Sequence, residues 1–106
     1  MTTPIDQAPV VDDTATSRFV VRDGGSEAEL VYALADDRLF LVHTEVPKAW
    51  GGRGVGGRLV RAALERAETN GLTVVPWCPF ARRWLHDHPE EAAKVTVDWD
   101  TPRPPR

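Results

Sequence analysis

Only one cysteine, Cys78, occurs among the 106 residues, so no disulfide can close within the chain. A zinc site would have to draw on three histidines and the acids. Neither a Cys-x-x-Cys pair nor zinc-finger spacing is present, so no metal is expected. No apolar run approaches the roughly 18 residues that a membrane-spanning helix requires. The opening Met1-Thr-Thr-Pro-Ile-Asp has neither the basic region nor the apolar stretch of a secretory signal. Excess charge of one sign is also lacking: the formal net charge is −3, which offers nucleic acid no broad electrostatic attraction. These absences predict a cytoplasmic protein with a free thiol and no membrane or nucleic-acid partner.

Hydrophobic residues make up 42% of the chain and charged residues 27%, ordinary values for one globular domain. Residues 1–16 mix prolines, aspartates and threonines with no sustained period, and are expected to be a disordered tail. The foldable domain is expected over 17–99. Residues 100–106, rich in proline and arginine, favour extended geometry.

Three extended segments come first. Arg18-Phe-Val-Val-Arg22 is β-branched and apolar, and Asp23-Gly24-Gly25-Ser26 is a turn. Glu27 to Ala35 alternates, with Ala28, Leu30, Tyr32 and Leu34 on one face. Arg38 to Val46 begins almost continuously apolar, which predicts a central strand covered on both faces. Pro47 ends it. Over 55–69, Val55, Leu59, Val60, Ala63, Leu64 and Ala67 recur at helical spacing, and Asn70-Gly71 is a helix stop. Leu72 to Val75 reads as a buried strand parallel to the one before the helix. Pro79 can open a helix over Phe80 to about Asp87, which His88-Pro89 breaks or restarts, and Val95 to Trp99 reads as a last strand.

Between the central strand and the long helix lies Trp50-Gly-Gly-Arg-Gly-Val-Gly-Gly-Arg58. Five glycines within seven residues are costly in chain entropy, so some feature of the fold must require them. Unpaired N–H groups in a helix's first turn carry partial positive charge, and bare glycines let a phosphate come close. A dinucleotide-binding turn would follow its strand directly and would need an acid at the end of the next strand. Here Pro47 to Gly51 intervene, and the next strand runs into Pro76-Trp77. A P-loop would need Lys-Ser/Thr where Gly57-Arg58 stands.

The remaining pattern, Gln/Arg-x-x-Gly-x-Gly/Ala after a long strand and opening a helix, resembles the coenzyme A signature of the GNAT superfamily of N-acetyltransferases. Gly54 and Gly56 match its two small positions, while Gly51 stands where Gln or Arg is usual. Further blocks look like those of a small single-domain GNAT-like subfamily: His43-Thr-Glu-Val-Pro47, Asn70-Gly71-Leu72, Cys78-Pro79-Phe80 and His88-Pro89-Glu90. The resemblance spans about residues 18–99. It implies an α/β mixed sheet in a minimal GNAT-like fold, in the order β-β-β-α-β-α-β. It also implies acetyl-CoA as co-substrate and an amine acceptor, either a small molecule or a protein lysine. The cofactor would lie against Val46, Gly51, Gly52, Arg53, Gly54, Val55, Gly56 and Gly57, with Arg53 or Arg58 supplying the charge absent at Gly51. The chain is expected to act as a monomer or weak homodimer.

For chemistry, the resemblance marks Cys78 as a catalytic candidate, as a transient acetyl carrier or as a bystander to direct transfer. A strand-to-helix position exposes a thiol to the helix N-terminus, but free cysteines are also often inert core residues. His43 and Glu45 are two apart on a strand and share a face, so either can take the proton of an attacking amine, or both can be structural. Trp84 stands where many family members carry a tyrosine acid, and an indole N–H cannot serve as one. Trp50, Trp77, Trp84 and Trp99 read chiefly as core residues, and Trp50, next to the glycine turn, can alternatively cover the pantetheine arm. Arg82 and Arg83 read as a wet helix face in preference to a contact with the cofactor's phosphates, and His86 as a solvated residue in preference to a substitute acid. The other class of function open to the sequence is a non-catalytic acyl-CoA-binding or protein-interaction module on the same fold.

Overall fold

The computed structural model describes residue 5 and residues 8–104. Six strands form one sheet in chain order: β1 (Val11–Asp13), β2 (Arg18–Asp23), β3 (Ser26–Ala35), β4 (Arg38–Glu45), β5 (Thr73–Pro76) and β6 (Thr96–Val97). Pairing is antiparallel from β1 to β4 and parallel from β4 to β6. A 3₁₀ turn at Lys48–Trp50 leads into the glycines. Helix α1 (Val55–Asn70) then carries the chain back to β5, and α2 (Pro79–Asp87) and the short α3 (Pro89–Ala92) lead to β6. No helix among the described residues is long and apolar enough to cross a membrane.

The core lies between α1 and one face of the sheet. The periodic apolar residues of α1, from Val55 to Ala67, are buried with Phe19, Leu30, Leu39 and Leu41 of the sheet. Gly71 stops the helix with φ +65°, and the amides of Gly71 and Leu72 turn back to the Ala67 carbonyl. Pro79 occupies the first turn of α2, whose Ala81, Trp84 and Leu85 face inward. Short β5 is held on both sides, with Thr73 to Pro76 paired to Arg38 to Leu41 and Thr73 and Val74 paired to β6. The α/β mixed-sheet expectation and the parallel pair flanking α1 hold.

Four local features differ from the sequence expectation. Within the stretch expected to be a disordered tail, Val11–Asp13 pairs with β2 as an edge strand, and Ile5 and Ala8 are buried. The anchors are long-range. Asp12 accepts from the Tyr32 hydroxyl at 2.7 Å and from Arg66 at 2.9 Å, while Arg58 donates to the carbonyls of Ile5 and Ala8. Residues 1–4, 6, 7, 105 and 106 lie outside the described residues. Strand β4 is covered on one face only: Leu39 and Leu41 are buried, whereas Phe40 is half-buried under the Trp77 ring at 4.5 Å. Leu34 is 45% exposed, at the hairpin end of β3. Finally, the last strand shrinks to Thr96–Val97, whereas the helix restart at His88-Pro89 is one of the two outcomes expected there.

After β6 the chain is latched by Asp98, whose carboxylate accepts from the Thr101 hydroxyl at 2.6 Å and from Arg38 at 3.0 Å. The Thr101 hydroxyl, the amides of Asp100 and Thr101 and the Arg38 charge hold the Asp98 carboxyl below its ordinary range. Glu27, between Arg18 and Arg22, and Asp13, beside Arg22 and Thr16, are lowered likewise. Carboxylates lowered by folding stabilise the native state above the ordinary carboxylate range, and that contribution disappears as the pH falls through and below it. Urea unfolding followed from pH 7 to pH 3 is therefore expected to show falling stability. Asp98→Asn should start lower at pH 7 and lose less on acidification.

A candidate acyl-CoA cleft and the sheet face beside it

The register of β3 against β4 slips once. Tyr32 faces Leu41 and Val31 faces His43, so Val42 is one residue in excess, a β-bulge. Side-chain alternation restarts after it. Thr44 lies opposite the buried Leu30 and therefore points to the helix side, while His43 and Glu45 lie opposite Val31 and Glu29 on the open face. Without the extra residue those two side chains would have followed Leu41 inward.

His43 and Glu45 do share a face, as their spacing predicts, with His43 Nε2 3.8 Å from Glu45 Oε2. Glu29 joins them: the three residues bring one donor atom each within 4.8 Å of one another. Glu29 is also bound by Arg18 at 2.7 Å. The signal for Glu29 was its place on the polar face of an alternating strand, and its value lay hidden in a cross-strand register that periodicity does not supply. Cys78 is not part of this group. It is 3% exposed on the helix side, with Sγ 3.2 Å from Thr44 Oγ1.

Strand β4 also parts from β5. Their pairing runs from Arg38↔Thr73 to Leu41↔Pro76, and the Cys78 amide then closes on the Leu41 carbonyl at 2.8 Å. Beyond that point Val42 to Glu45 have no β5 residue opposite them. The chain turns at Pro76-Trp77 into α2, so the last part of β4 has no strand paired to it on the β5 side.

The glycine turn lines a cleft with Val46, the residue after β4, and its glycines serve two different needs. Gly52 and Gly54 take φ of +76° and +73°, which an L side chain resists. Gly54 is the N-cap of α1 and carries no side-chain cap, so the first-turn amides have no side-chain acceptor. Gly56 and Gly57 are helical and serve packing instead. A Cβ on Gly56 would lie 2.6 Å from Phe80 Cζ, and one on Gly57 would lie 2.7 Å from Trp84 Nε1. Phe80, Trp84 and the glycine turn, with Val46, Trp50, Arg61 and His88, line an open cleft of about 520 Å³. That volume falls within the range of small-molecule sites.

The expected basic residues are placed differently. Arg58 is spent on the Ile5 and Ala8 carbonyls and cannot serve a phosphate at Gly51. Arg53 is exposed on the turn and does not line the cavity, whereas Arg61, which spacing did not single out, does. Trp50 is partly buried against the core and lines the cavity. Trp84 is buried, with the Arg61 guanidinium 5.3 Å from its ring centroid and the His88 ring stacked on it at 4.0 Å. Arg82 and His86 are exposed, as expected for a solvated helix face, and both lie over the Trp99 ring.

A mixed sheet that opens between two parallel strands, beside a glycine turn feeding a helix, is the minimal GNAT-like fold. A family model of GCN5-related N-acetyltransferases matches residues 18–95, and the chain belongs to that family. Protein NATD1 of Homo sapiens is 32% identical over 83 residues, covering 76% of this chain and 74% of that protein. Protein NATD1 of Gallus gallus matches at 32% identity over 76% of each chain. A GCN5-like protein of Staphylococcus aureus, solved by NMR, superposes with a TM-score of 0.64 at 28% identity, over 79% of this chain and 85% of that one.

The two packing glycines give a test of the site's construction. Trp84 is buried and pinned by its neighbours, so Gly57→Ala should cost about 1–3 kcal/mol by overpacking. Phe80 is 45% exposed and free to swing aside. In Gly56→Ala the gain in helix propensity, up to about 1 kcal/mol, should offset most of the clash. Urea denaturation of the two variants should separate them in that order.

Proposed function

We propose that the protein is an acetyl-CoA-dependent N-acetyltransferase that transfers the acetyl group directly to an amine. The observation that carries this reading is the end of β4–β5 pairing at Leu41, with Val46 beyond it lining one cleft together with the uncapped first turn of α1. The strand edge at Val42 to Glu45 offers backbone groups to an extended amide-bearing arm. The amides of Val55, Gly56 and Gly57 offer donors and the positive end of a helix to a pyrophosphate. Membership of the family and the fit of both features support the same ligand. When bound, acetyl-CoA would supply an acetyl group activated as a thioester.

The chain's own residues then have separate tasks. The left-handed Gly52 and Gly54 shape the turn so that no side chain stands before the first-turn amides, and Gly51 and Arg53 complete its outer surface. The Val46 N–H, following the bulged strand, is the candidate donor to the thioester carbonyl oxygen, where negative charge develops during attack. Glu45, with His43 at 3.8 Å, is the candidate base on the open face that takes the proton of the attacking amine. Protonation of the leaving thiolate needs no strong acid, since an ordinary thiol pKa is about 8.5, so the indole at Trp84 is no obstacle. Cys78 is buried and engaged with Thr44, which favours direct attack over an acetylated cysteine. The acceptor is a primary amine, carried by a small molecule or a protein lysine.

Two measurements test the reading. In a thermal-shift titration CoA should stabilise the protein, by about 2.7 kcal/mol once it is present at a hundred times its Kd. No shift at millimolar CoA would end the cofactor assignment, while binding without turnover on any amine would leave an acyl-CoA-binding module. In an assay with an accepted amine, Glu45→Gln should lower kcat by about 10²–10⁴-fold with little change in CoA affinity. Cys78→Ala should retain turnover. The reverse pattern would restore the cysteine route.

A further inference from the structure

A pyrophosphate held only by backbone amides would keep most of its charge uncompensated, so the cations near the first turn of α1 bear on affinity. Arg58 is committed to the carbonyls of Ile5 and Ala8. Arg53 and Lys48 are exposed and stand outside the cavity lining. Among the described residues, Arg61 is the one arginine or lysine that lines the cavity. It lies further along α1 than the first turn, but helical side chains lean toward the N-terminus. Here the lean is visible: the guanidinium carbon sits 5.3 Å over the Trp84 ring, and that ring presses on Gly57 in the first turn.

The Arg61 side chain is half-exposed, and its nearest acid is Glu91, with Nε to Oε1 at 3.7 Å. That separation exceeds a hydrogen bond, so the terminal NH groups of the fork remain available to an acceptor. Glu91 has a second cation, Lys94, with Nζ 3.4 Å away, and would not be stranded if Arg61 turned from it. The Trp84 face meanwhile limits the orientations open to the guanidinium, which lowers the entropic cost of binding.

We infer that Arg61 is the side-chain ligand of the cofactor's pyrophosphate, and that Glu91 restrains it until a phosphate competes for it. The inference rests on the CoA reading above. A guanidinium fork matches a phosphate with two parallel charge-assisted hydrogen bonds, and of the three arginines Arg58 is engaged elsewhere and Arg53 lies outside the cavity lining. Glu91, outside the cavity, then acts as a positioning residue with an effect opposite in sign to that of Arg61.

The test is a calorimetric titration of CoA, 3′-dephospho-CoA and pantetheine into the parent protein and two variants. Arg61→Gln should raise the Kd of CoA and of dephospho-CoA alike, by about 10- to 100-fold, and leave pantetheine unaffected. Glu91→Gln should bind both phosphate-bearing ligands a few-fold more tightly. An unchanged CoA affinity in Arg61→Gln overturns the inference, as does a loss that dephospho-CoA does not share, which would assign Arg61 to the 3′-phosphate. If circular dichroism shows Arg61→Gln unfolded, Glu91→Gln decides: tighter binding supports the inference and unchanged binding overturns it. A parent protein that binds no CoA would bring down the cofactor reading itself, an outcome distinct from these.

Discussion

One residue in excess, Val42, governs the arrangement of everything around the cleft. A strand carries its side chains alternately to the two faces, so a single added residue reverses every position after it. Before the bulge, Leu39 and Leu41 face the helices; after it Thr44 does, and His43 and Glu45 are turned to the open face. Cys78 and Thr44 thus become neighbours on one side of the sheet, while the histidine and the two glutamates gather on the other. The chemistry proposed for Glu45 is possible only because this acid is not buried in the core.

The second constraint is the way α2 packs on α1. Phe80 and Trp84 come so close to the first turn of α1 that no Cβ fits at Gly56 or Gly57 without displacing them. That contact builds one wall of the cavity and sets the Trp84 ring where both the Arg61 guanidinium and the His88 ring contact it. The glycines of this turn are therefore not one device. Gly52 and Gly54 meet a backbone requirement, and Gly56 and Gly57 meet a packing requirement. A phosphate cradle needs the first pair directly and the second pair only through the wall that they permit.

Much of this was legible in the residues. The period of Val55, Leu59, Val60, Ala63, Leu64 and Ala67 marked α1 nearly to its ends, because those residues are the face that meets the sheet. The strand–helix–strand order implied the parallel β4–β5 pair, and Asn70-Gly71 marked the stop. Strand β1 was not legible, since three residues are too few for a period and their anchors, Arg66 and Tyr32, lie far along the chain. Arg58 was misread for the same reason. Its sequence position beside the glycines said nothing of the Ile5 and Ala8 carbonyls that occupy it.

Local order alone determined the elements, the glycine turn at the head of α1 and the pairing of His43 with Glu45 on one face of a strand. Those features depend on residues within a few positions of one another, which periodicity and turn chemistry record. Only the tertiary structure decided which face that pair occupies, which glycines are backbone devices and which are contact surfaces, and which arginine meets the cavity. Each of those depends on a register or a packing contact between segments distant in the chain. No local pattern can fix a relation whose other half lies dozens of residues away.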